Sequence, residues 1–252
     1  MPKYAKRIQQ LIGKVKFPEK RCLPRLTLLM HRLSCVMKYP PPEATAVADA
    51  MLWMAWENKD EGFTYRRRPL GAPAATTVHA TKVFDLDAPA PSAMTISADT
   101  STGYHNVYAI VATSAGAAVH HCTKKINTVC DSIMRAEQVA TQKASELAEY
   151  IKTIERALGV PRDEPIDLAT DNLGNAQVTH NVGSSTRSRH FLVRYEAVMH
   201  REAQGIVAVQ HVPDEHMPAD FLTKWVPAAK LRRCLSYVTG TMLPSRKPKR
   251  DV

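Results

Sequence analysis

Four acidic residues, far apart in the chain, stand where the ends of secondary-structure elements could bring them together. Asp99 ends an apolar stretch, Glu137 lies early in a long helical pattern, Asp171 follows the apolar run IDLAT, and Asp220 comes two residues after Pro218. Phosphodiester hydrolysis needs an activated water and a stabilised leaving oxygen, and two divalent cations can supply both. Magnesium prefers oxygen ligands, so carboxylates suffice. We therefore predict that these acids meet on one sheet and bind two Mg²⁺ or Mn²⁺ ions for nucleic-acid hydrolysis.

Each acid also has a purely structural explanation. Asp171 suits a helix N-cap, and Asp220 suits the first turn of a helix. Glu137 could pair with Arg135 or Lys143. The helical spacing places Glu137 on the face of Ile133, Ala140 and Ala144, where a carboxylate is costly unless it is paired or binds a metal. The four acids together, on these elements in this order, favour catalysis over four separate caps.

The composition indicates a folded protein with a polyanionic partner. The chain has 252 residues, 44% of them apolar, with a net charge of +10 and a pI of about 9.4. This bias favours RNA, DNA or an anionic surface. Five cysteines without close CxxC spacing predict reduced thiols and an intracellular, cytoplasmic or nuclear location. The basic N-terminus, free of acids up to Glu19, is also compatible with mitochondrial targeting, and no stretch is apolar enough for a membrane span.

The order of elements predicts an α/β fold with a mixed sheet flanked by helices, preceded by a small helical region. Three helices and a short strand at FTYRRR are expected first, and VFDLD could form an edge strand. Three successive strands, a long helix and further alternating elements follow. The predicted divisions are a helical region at 1–68, a Pro-rich linker at 69–93, a catalytic domain at 94–240 and a basic tail at 241–252.

Two features of the helical region have open or structural interpretations. The first helix, within residues 1–20, either packs its apolar stripe on the rest of the protein or contacts phosphates with its lysines. Trp53, Trp56 and Trp225 are expected in the core rather than as platforms for base stacking. His216, four residues before Asp220, is expected to be an exposed loop residue rather than a proton carrier.

Several segments resemble the C-terminal part of copia-type retrotransposon polyproteins, where the end of the reverse transcriptase is followed by a ribonuclease H domain. KKINTVCDSIMRAEQVAT is similar to the family's KKQPTVALSSTEAEYVAL, LATDNLGNAQV to IYCDNQSAI, and MPADFLTKWVPAAKL to QLADILTKPLPRAKF. Asp99 falls on the Asp of the family's YSD. Upstream, HRLSCVMKYPPPEATAVADAMLWMAWENKDEGFTY is similar to the family's reverse transcriptase end. The resemblance covers roughly residues 26–240.

The resemblance implies a ribonuclease H-like fold in which Asp99, Glu137, Asp171 and Asp220 bind two metal ions and cut the RNA strand of RNA–DNA hybrids. The 2′-hydroxyl identifies that strand. The expected partner is an RNA–DNA hybrid or structured RNA, with a larger ribonucleoprotein as a further partner. Residues expected to contact nucleic acid are cationic or polar groups near the site: Lys124, Lys125, Asn172, Arg187, Arg189 and His190.

The sequence departs from the family pattern in three ways. The loop after Asp99 is shortened to TSTGY, TEAEY has become MRAEQ, and the YxDD polymerase motif is absent. An initial Met and basic ends suggest an isolated or domesticated piece of a mobile element. A catalytically silent module that binds RNA within a ribonucleoprotein is therefore the alternative function. A DNA-strand transferase is a weaker third, because such sites commonly use three acids at another spacing.

Overall fold

The computed structural model describes residues 3–66, 86–87, 93–103, 105–180 and 192–241. Seven α-helices are described: α1 (Lys3–Arg21), α2 (Thr27–Val36), α3 (Ala44–Glu57), α4 (Ile133–Ala157), α5 (Leu173–His180), α6 (Leu192–Ala203) and α7 (Ala228–Thr239). Five strands are described with them: β1 (Thr95–Ser101), β2 (Val107–Ser114), β3 (Ala117–Lys125), β4 (Ile166–Thr170) and β5 (Val207–His211).

The strands form one sheet in the order β3-β2-β1-β4-β5. β1, β2 and β3 pair antiparallel through short turns, whereas β1, β4 and β5 run parallel because helices connect them. Helices α4, α5 and α6 contribute to the core on one face, and α7 contributes to the core on the other. The predicted α/β class, a mixed sheet flanked by helices and preceded by a helical region, is confirmed.

The helices before the sheet have a core of their own. Ile8, Leu11, Ile12 and Val15 form the predicted apolar stripe of α1 and are buried with apolar side chains of α2 and α3. Backbone hydrogen bonds then tie the segment after α3 to the sheet side of the molecule. Thr64 N donates to Thr239 O at 2.7 Å, and Arg66 N donates to Ala115 O at 2.7 Å.

Three local predictions in the described residues are wrong. Residues 63–66 of the stretch FTYRRR form no strand, because their backbone bonds to a helix end and a turn instead of a strand edge. Trp53, Trp56 and Trp225 are 63%, 63% and 75% exposed rather than in the core. Asp99, expected at the end of the first strand, lies within it, because β1 continues to Ser101.

Several predicted features fall on residues outside those described. The expected linker 69–93 is described only at 86–87 and 93, and the basic tail only at residue 241. Of the stretch VFDLD, only Leu86 and Asp87 are described, and they form a turn. The domain boundaries therefore stay predictions. Among the helices of the described residues, none combines the length and apolar character that a bilayer crossing requires.

Candidate active site

The register of two parallel strands brings Asp99 and Asp171 side by side. β1 pairs with β4 so that Ser97 lies opposite Ala169. Asp99 and Asp171 each follow two residues later. Asp99 lies two residues before the end of β1, and Asp171 directly follows β4. Asp171 lies one residue beyond the end of β4, so the alternation of side chains along the strand does not fix the direction of its carboxylate. The sequence could predict this arrangement because each acid directly ends an apolar run.

Asp220 completes a group of three carboxylates. It lies in the 3₁₀ turn that follows β5 and is fully buried. One carboxylate oxygen from each of Asp99, Asp171 and Asp220 lies within 4.8 Å of the other two. Thr223, in the same turn, donates a hydrogen bond from Oγ1 to Asp99 Oδ2 and so holds that carboxylate toward Asp220.

Glu137 faces the same cavity from α4. It is 4% exposed, and Thr100 Oγ1 donates a hydrogen bond to its Oε1, whereas its Oε2 is buried without a hydrogen-bond partner among the described residues. The inward orientation was predicted correctly, although Ile133, expected on the same face, is 62% exposed. The two basic residues considered as partners pair elsewhere: Arg135 with Asp131 at 3.5 Å and Lys143 with Glu146 at 2.7 Å.

Asp99, Glu137 and Asp171 line an open cavity of about 350 Å³, and Asp220 is not part of its lining. The other residues that line it are mostly polar: Thr100, Ser101, Thr102, Asn172 and Lys224, with Ile133 as the apolar member. Such a polar, open depression at the carboxyl ends of parallel strands suits a charged backbone better than an apolar small molecule.

Two lysines contact the acid cluster, and sequence reasoning missed both. Lys224 Nζ lies 3.1 Å from Asp220 Oδ1, an ion pair without hydrogen-bond geometry, and Lys230 Nζ donates to Asp220 Oδ2. Both ammonium groups also contact Asp214, at 3.1 Å and 2.8 Å. Lys224 follows Asp220 by four residues within the LTK of the family motif, which was an available signal. Lys230 falls on the Lys of PRAKF in the same aligned segment, so it too had an available signal, whereas nothing in the sequence pattern marks Asp214.

Burial and the mutual repulsion of the acids raise the pKa values of Asp99 and Glu137 despite the two lysines. Burial, followed by repulsion from Asp220 and Glu137, raises the pKa of Asp99 well above its usual value. Burial and the charge of Asp171 raise the pKa of Glu137 to about 7. Burial would lower the pKa of Lys224, but Asp99 and Asp220 raise it above its ordinary value. The cluster therefore holds an excess of negative charge that an added cation would relieve.

The donor set fits a hard divalent cation. Every candidate ligand is a carboxylate oxygen, which is the donor type that Mg²⁺ and Mn²⁺ prefer. The buried Oε2 of Glu137 accepts no hydrogen bond from the residues that the structure describes, and a metal ion or its bound water would satisfy it. Asp99, Asp171, Asp220 and Glu137 are therefore the residues that would hold such ions.

The residues predicted to contact nucleic acid are only partly described. Asn172 lines the acid cavity, and its Oδ1 caps α5 by accepting a hydrogen bond from Asn175 N at 2.9 Å. Lys124 and Lys125 are exposed at the end of β3. Lys125 also lines a separate cavity of about 300 Å³ with Arg194. The other three, Arg187, Arg189 and His190, lie outside the described residues.

Comparisons with known proteins give remote structural similarity. No protein-family model matches the sequence. The LC11 ribonuclease H1, solved in complex with an RNA/DNA hybrid, aligns over 51% of this chain and 92% of its own, with 16% identity and a TM-score of 0.41. Ribonuclease H1 of the halophilic archaeon Halobacterium salinarum NRC-1 aligns over 48% and 86%, with 18% identity and a TM-score of 0.35.

A longer part of the chain aligns with a viral polymerase. The prototype foamy virus protease-reverse transcriptase covers 82% of this chain, which spans 28% of the viral chain, with 14% identity and a TM-score of 0.36. All three similarities are too remote to assign an activity. The case for the site therefore rests on its own residues and their geometry.

Proposed function

We propose that this protein is a metal-dependent endonuclease of the ribonuclease H type, which hydrolyses the RNA strand of RNA–DNA hybrids and derives from a copia-type retrotransposon. One observation carries the proposal: Asp99, Asp171 and Asp220 place carboxylate oxygens within 4.8 Å of one another, and Glu137 faces the same cavity. The segments that resemble copia ribonuclease H supply these same four acids. The proposed location is intracellular, in the cytoplasm, nucleus or mitochondrion.

Each acid has a distinct task in this proposal. Asp99 and Asp171 extend from adjacent strand ends, so their separation is fixed by the sheet. Glu137 closes the cavity from the helix side, and Asp220 lies beneath it. When bound, two divalent ions would activate a water and stabilise the leaving oxygen of the phosphodiester. The chain's own contribution is to hold the carboxylates together against their repulsion.

The nucleic-acid contacts follow from the positions of polar groups around the cavity. The helix-capping hydrogen bond is accepted by the side-chain Oδ1 of Asn172 and does not involve its side-chain Nδ2. Nδ2 can therefore donate to a phosphate or sugar oxygen. Lys124 and Lys125, exposed on a strand end two strands from Asp99, can neutralise phosphates of the bound strand. Arg187, Arg189 and His190 keep the same proposed role on sequence grounds alone.

A catalytically silent module that binds RNA within a ribonucleoprotein is the second candidate. The specific observation in its favour is that both carboxylate oxygens of Asp220 have an ammonium partner: Oδ1 contacts Lys224 and Oδ2 contacts Lys230. Internal ammonium groups can therefore stabilise part of the cluster without a metal ion. Against this, the five carboxylates of the site, including Asp214, outnumber the two lysines, and repulsion among the acids adds to burial in raising the pKa of Asp99 and of Glu137.

Cleavage of an end-labelled RNA–DNA hybrid tests the proposal. We expect the wild-type protein to cut the RNA strand with Mg²⁺ or Mn²⁺ and not with EDTA, and we expect Asp171→Asn to lower the rate at least 100-fold while the fold is kept. Asp163→Asn, which removes an exposed acid outside the cavity, is the matched control. A wild type that binds structured RNA tightly but leaves the hybrid intact with either metal would favour the silent module.

A further inference from the structure

Helix α1 carries a charge pattern that the acid site does not explain. It lies wholly before residues 26–240, the part of the chain that resembles the copia sequences. The sequence of α1 contains seven lysines and arginines and one acid, Glu19. Glu19 is 1% exposed and accepts a hydrogen bond from Thr27 Oγ1 at 2.5 Å. The exposed surface of α1 therefore contains cations and no carboxylate.

Three of these cations form a row on the outward side of the helix. At 3.6 residues per turn, Lys6, Lys14 and Arg21 fall opposite the buried stripe, and all three are exposed. Their spacings of eight and seven residues correspond to about 12 and 10 Å along the axis. Lys6 and Lys14 make no ion pair within the described part of the chain. Arg21 lies 5.9 Å from the ring centre of Phe17, which is 72% exposed.

The charges of α1 serve the helix itself only in part. The first turn contains no acid, so its basic residues oppose the helix dipole, whereas Lys20 and Arg21 in the last turn favour it. Lys16 and Lys20, four residues apart, repel each other across one turn. The helix is held by its apolar stripe against α2 and α3. Lys6 and Lys14 therefore have no evident role in holding the helix, which is consistent with a partner of opposite charge.

The helix is fixed close to the acid cluster. Lys20 Nζ donates to His121 O in β3 at 3.3 Å, which anchors the C-terminal end of α1. His121 lies opposite Val111, which in turn lies opposite Ser97, two residues before Asp99. Two strand spacings separate β3 from β1, or roughly 10 Å. The C-terminal end of α1 is therefore attached to the same sheet that carries Asp99.

We propose that the face of α1 formed by Lys6, Lys14 and Arg21 binds the phosphate backbone of a nucleic-acid duplex as a second contact surface. A row of cations about 22 Å long matches several phosphates, which follow one another at about 3.4 Å per strand along a duplex. An anionic membrane fits less well, because the apolar stripe that would enter the lipid is buried in the protein's own core. This binding needs neither metal nor cleavage.

The test is duplex binding in EDTA, so that its outcome is independent of the proposed hydrolysis. The full-length protein is titrated against a fluorescent RNA–DNA hybrid at several salt concentrations. The test variant combines Lys6→Gln, Lys14→Gln and Arg21→Gln. The control variant combines Lys59→Gln, Arg156→Gln and Arg232→Gln, which removes the same charge from exposed positions outside α1.

We expect the α1 variant to lose about two to three units from the slope of log affinity against log salt, and on the order of 100-fold in affinity at 100 mM salt. In the control variant, the fold-loss in duplex affinity should be less than a tenth of the fold-loss in the α1 variant. Thermal unfolding should match the wild type, because the three side chains are exposed. Equal losses in both variants would overturn the proposal in favour of net charge alone. Retained duplex binding with lost binding to phosphatidylserine vesicles would overturn it in favour of a membrane.

Discussion

At the scale of single residues, the balance between the acids and two lysines determines how the cavity can work. Lys224 contributes a positive charge at the place where a cation is needed, 3.1 Å from both Asp220 Oδ1 and Asp214 Oδ1. Its side chain is 38% exposed, whereas that of Asp220 is fully buried. Lys224 can therefore move away toward solvent, but Asp220 cannot. Because of this difference in exposure, Lys224 competes with a metal ion for Asp220 and is not a fixed counter-charge of that carboxylate.

Replacing Lys224 should separate these two effects. For Lys224→Gln we expect divalent-ion affinity to rise on the order of tenfold, because a competing charge is removed from the cluster. In EDTA the same variant should lose about 1 kcal/mol of unfolding free energy, because a buried carboxylate keeps only one ammonium partner. Calorimetric titration with Mn²⁺ and urea unfolding measure the two quantities. Lys143→Gln, a lysine that pairs with Glu146 away from the cluster, is the control. Unchanged or weaker Mn²⁺ affinity would contradict this role.

At the scale of elements, periodicity predicted most helices and strands, and tertiary contacts explain the exceptions. The apolar spacing of α1 and α4 and the apolar runs of β1 and β4 are strong local signals, so their positions could be derived from sequence. The segment 63–66 has the composition of a strand, but its partners are a helix end and a turn far away in sequence. Trp53 and Trp56 lie in a helical pattern, but that pattern does not show which face of α3 packs against the rest of the protein.

The same reasoning applies to the site. Asp99 and Asp171 were predictable because each directly follows an apolar run in the sequence, and Glu137 because it lies on an inward helical face. The roles of Lys224 and Lys230 were not predictable from pattern, because an ion pair across the cluster depends on how the 3₁₀ turn and α7 pack. Periodicity contains no information on that packing. Only the resemblance to the LTK motif pointed toward Lys224.

Gly240 is the element-level feature that most sharply tests the packing of α7. It ends α7 with a φ of 72°, and an added Cβ would lie 2.6 Å from Gly116 O and closer still to Thr64 O. We expect Gly240→Ala to lower the unfolding free energy by about 3 kcal/mol or more, through backbone strain and a clash with backbone atoms. Urea denaturation measures this loss.

Gly159→Ala provides the matched control. Gly159 has a φ of 74° but open space around it, so only the strain of about 1 kcal/mol should appear. If the two variants lose the same free energy, then α7, the segment around Thr64 and the turn at Gly116 do not pack as closely as described.

At the scale of the whole molecule, a buried polar cluster joins the N-terminal helices to the sheet. His121 of β3 is 4% exposed, and its Nδ1 lies 3.1 Å from Thr27 Oγ1 and 3.9 Å from Glu19 Oε1. Lys20 donates to the backbone oxygen of the same histidine. The helical region is thus connected to the sheet by groups that are costly to separate once buried. We expect the two parts to unfold together.

This junction makes stability depend on pH in a defined direction. Burial, together with the charges of Lys20 and His120, lowers the pKa of His121 to about 3, from 6.5 in the unfolded chain. The unfolded state therefore binds more protons between these values, so the stabilising contribution is complete above pH 6.5 and is lost as pH falls toward 3. From pH 7 to pH 4.5 the wild type should lose about 1 to 3 kcal/mol relative to His121→Gln, by urea unfolding in EDTA. Parallel pH profiles of the two proteins would contradict the assignment.

Calorimetric titration with Mn²⁺ in the absence of nucleic acid measures directly whether the four acids bind divalent cations. We expect wild-type protein to bind Mn²⁺, Asp171→Asn and Asp99→Asn to lose the binding by at least tenfold in affinity, and Asp163→Asn to keep it. Absence of Mn²⁺ binding by the wild type, or equal binding by Asp171→Asn, would contradict the claim that this cluster is a metal site.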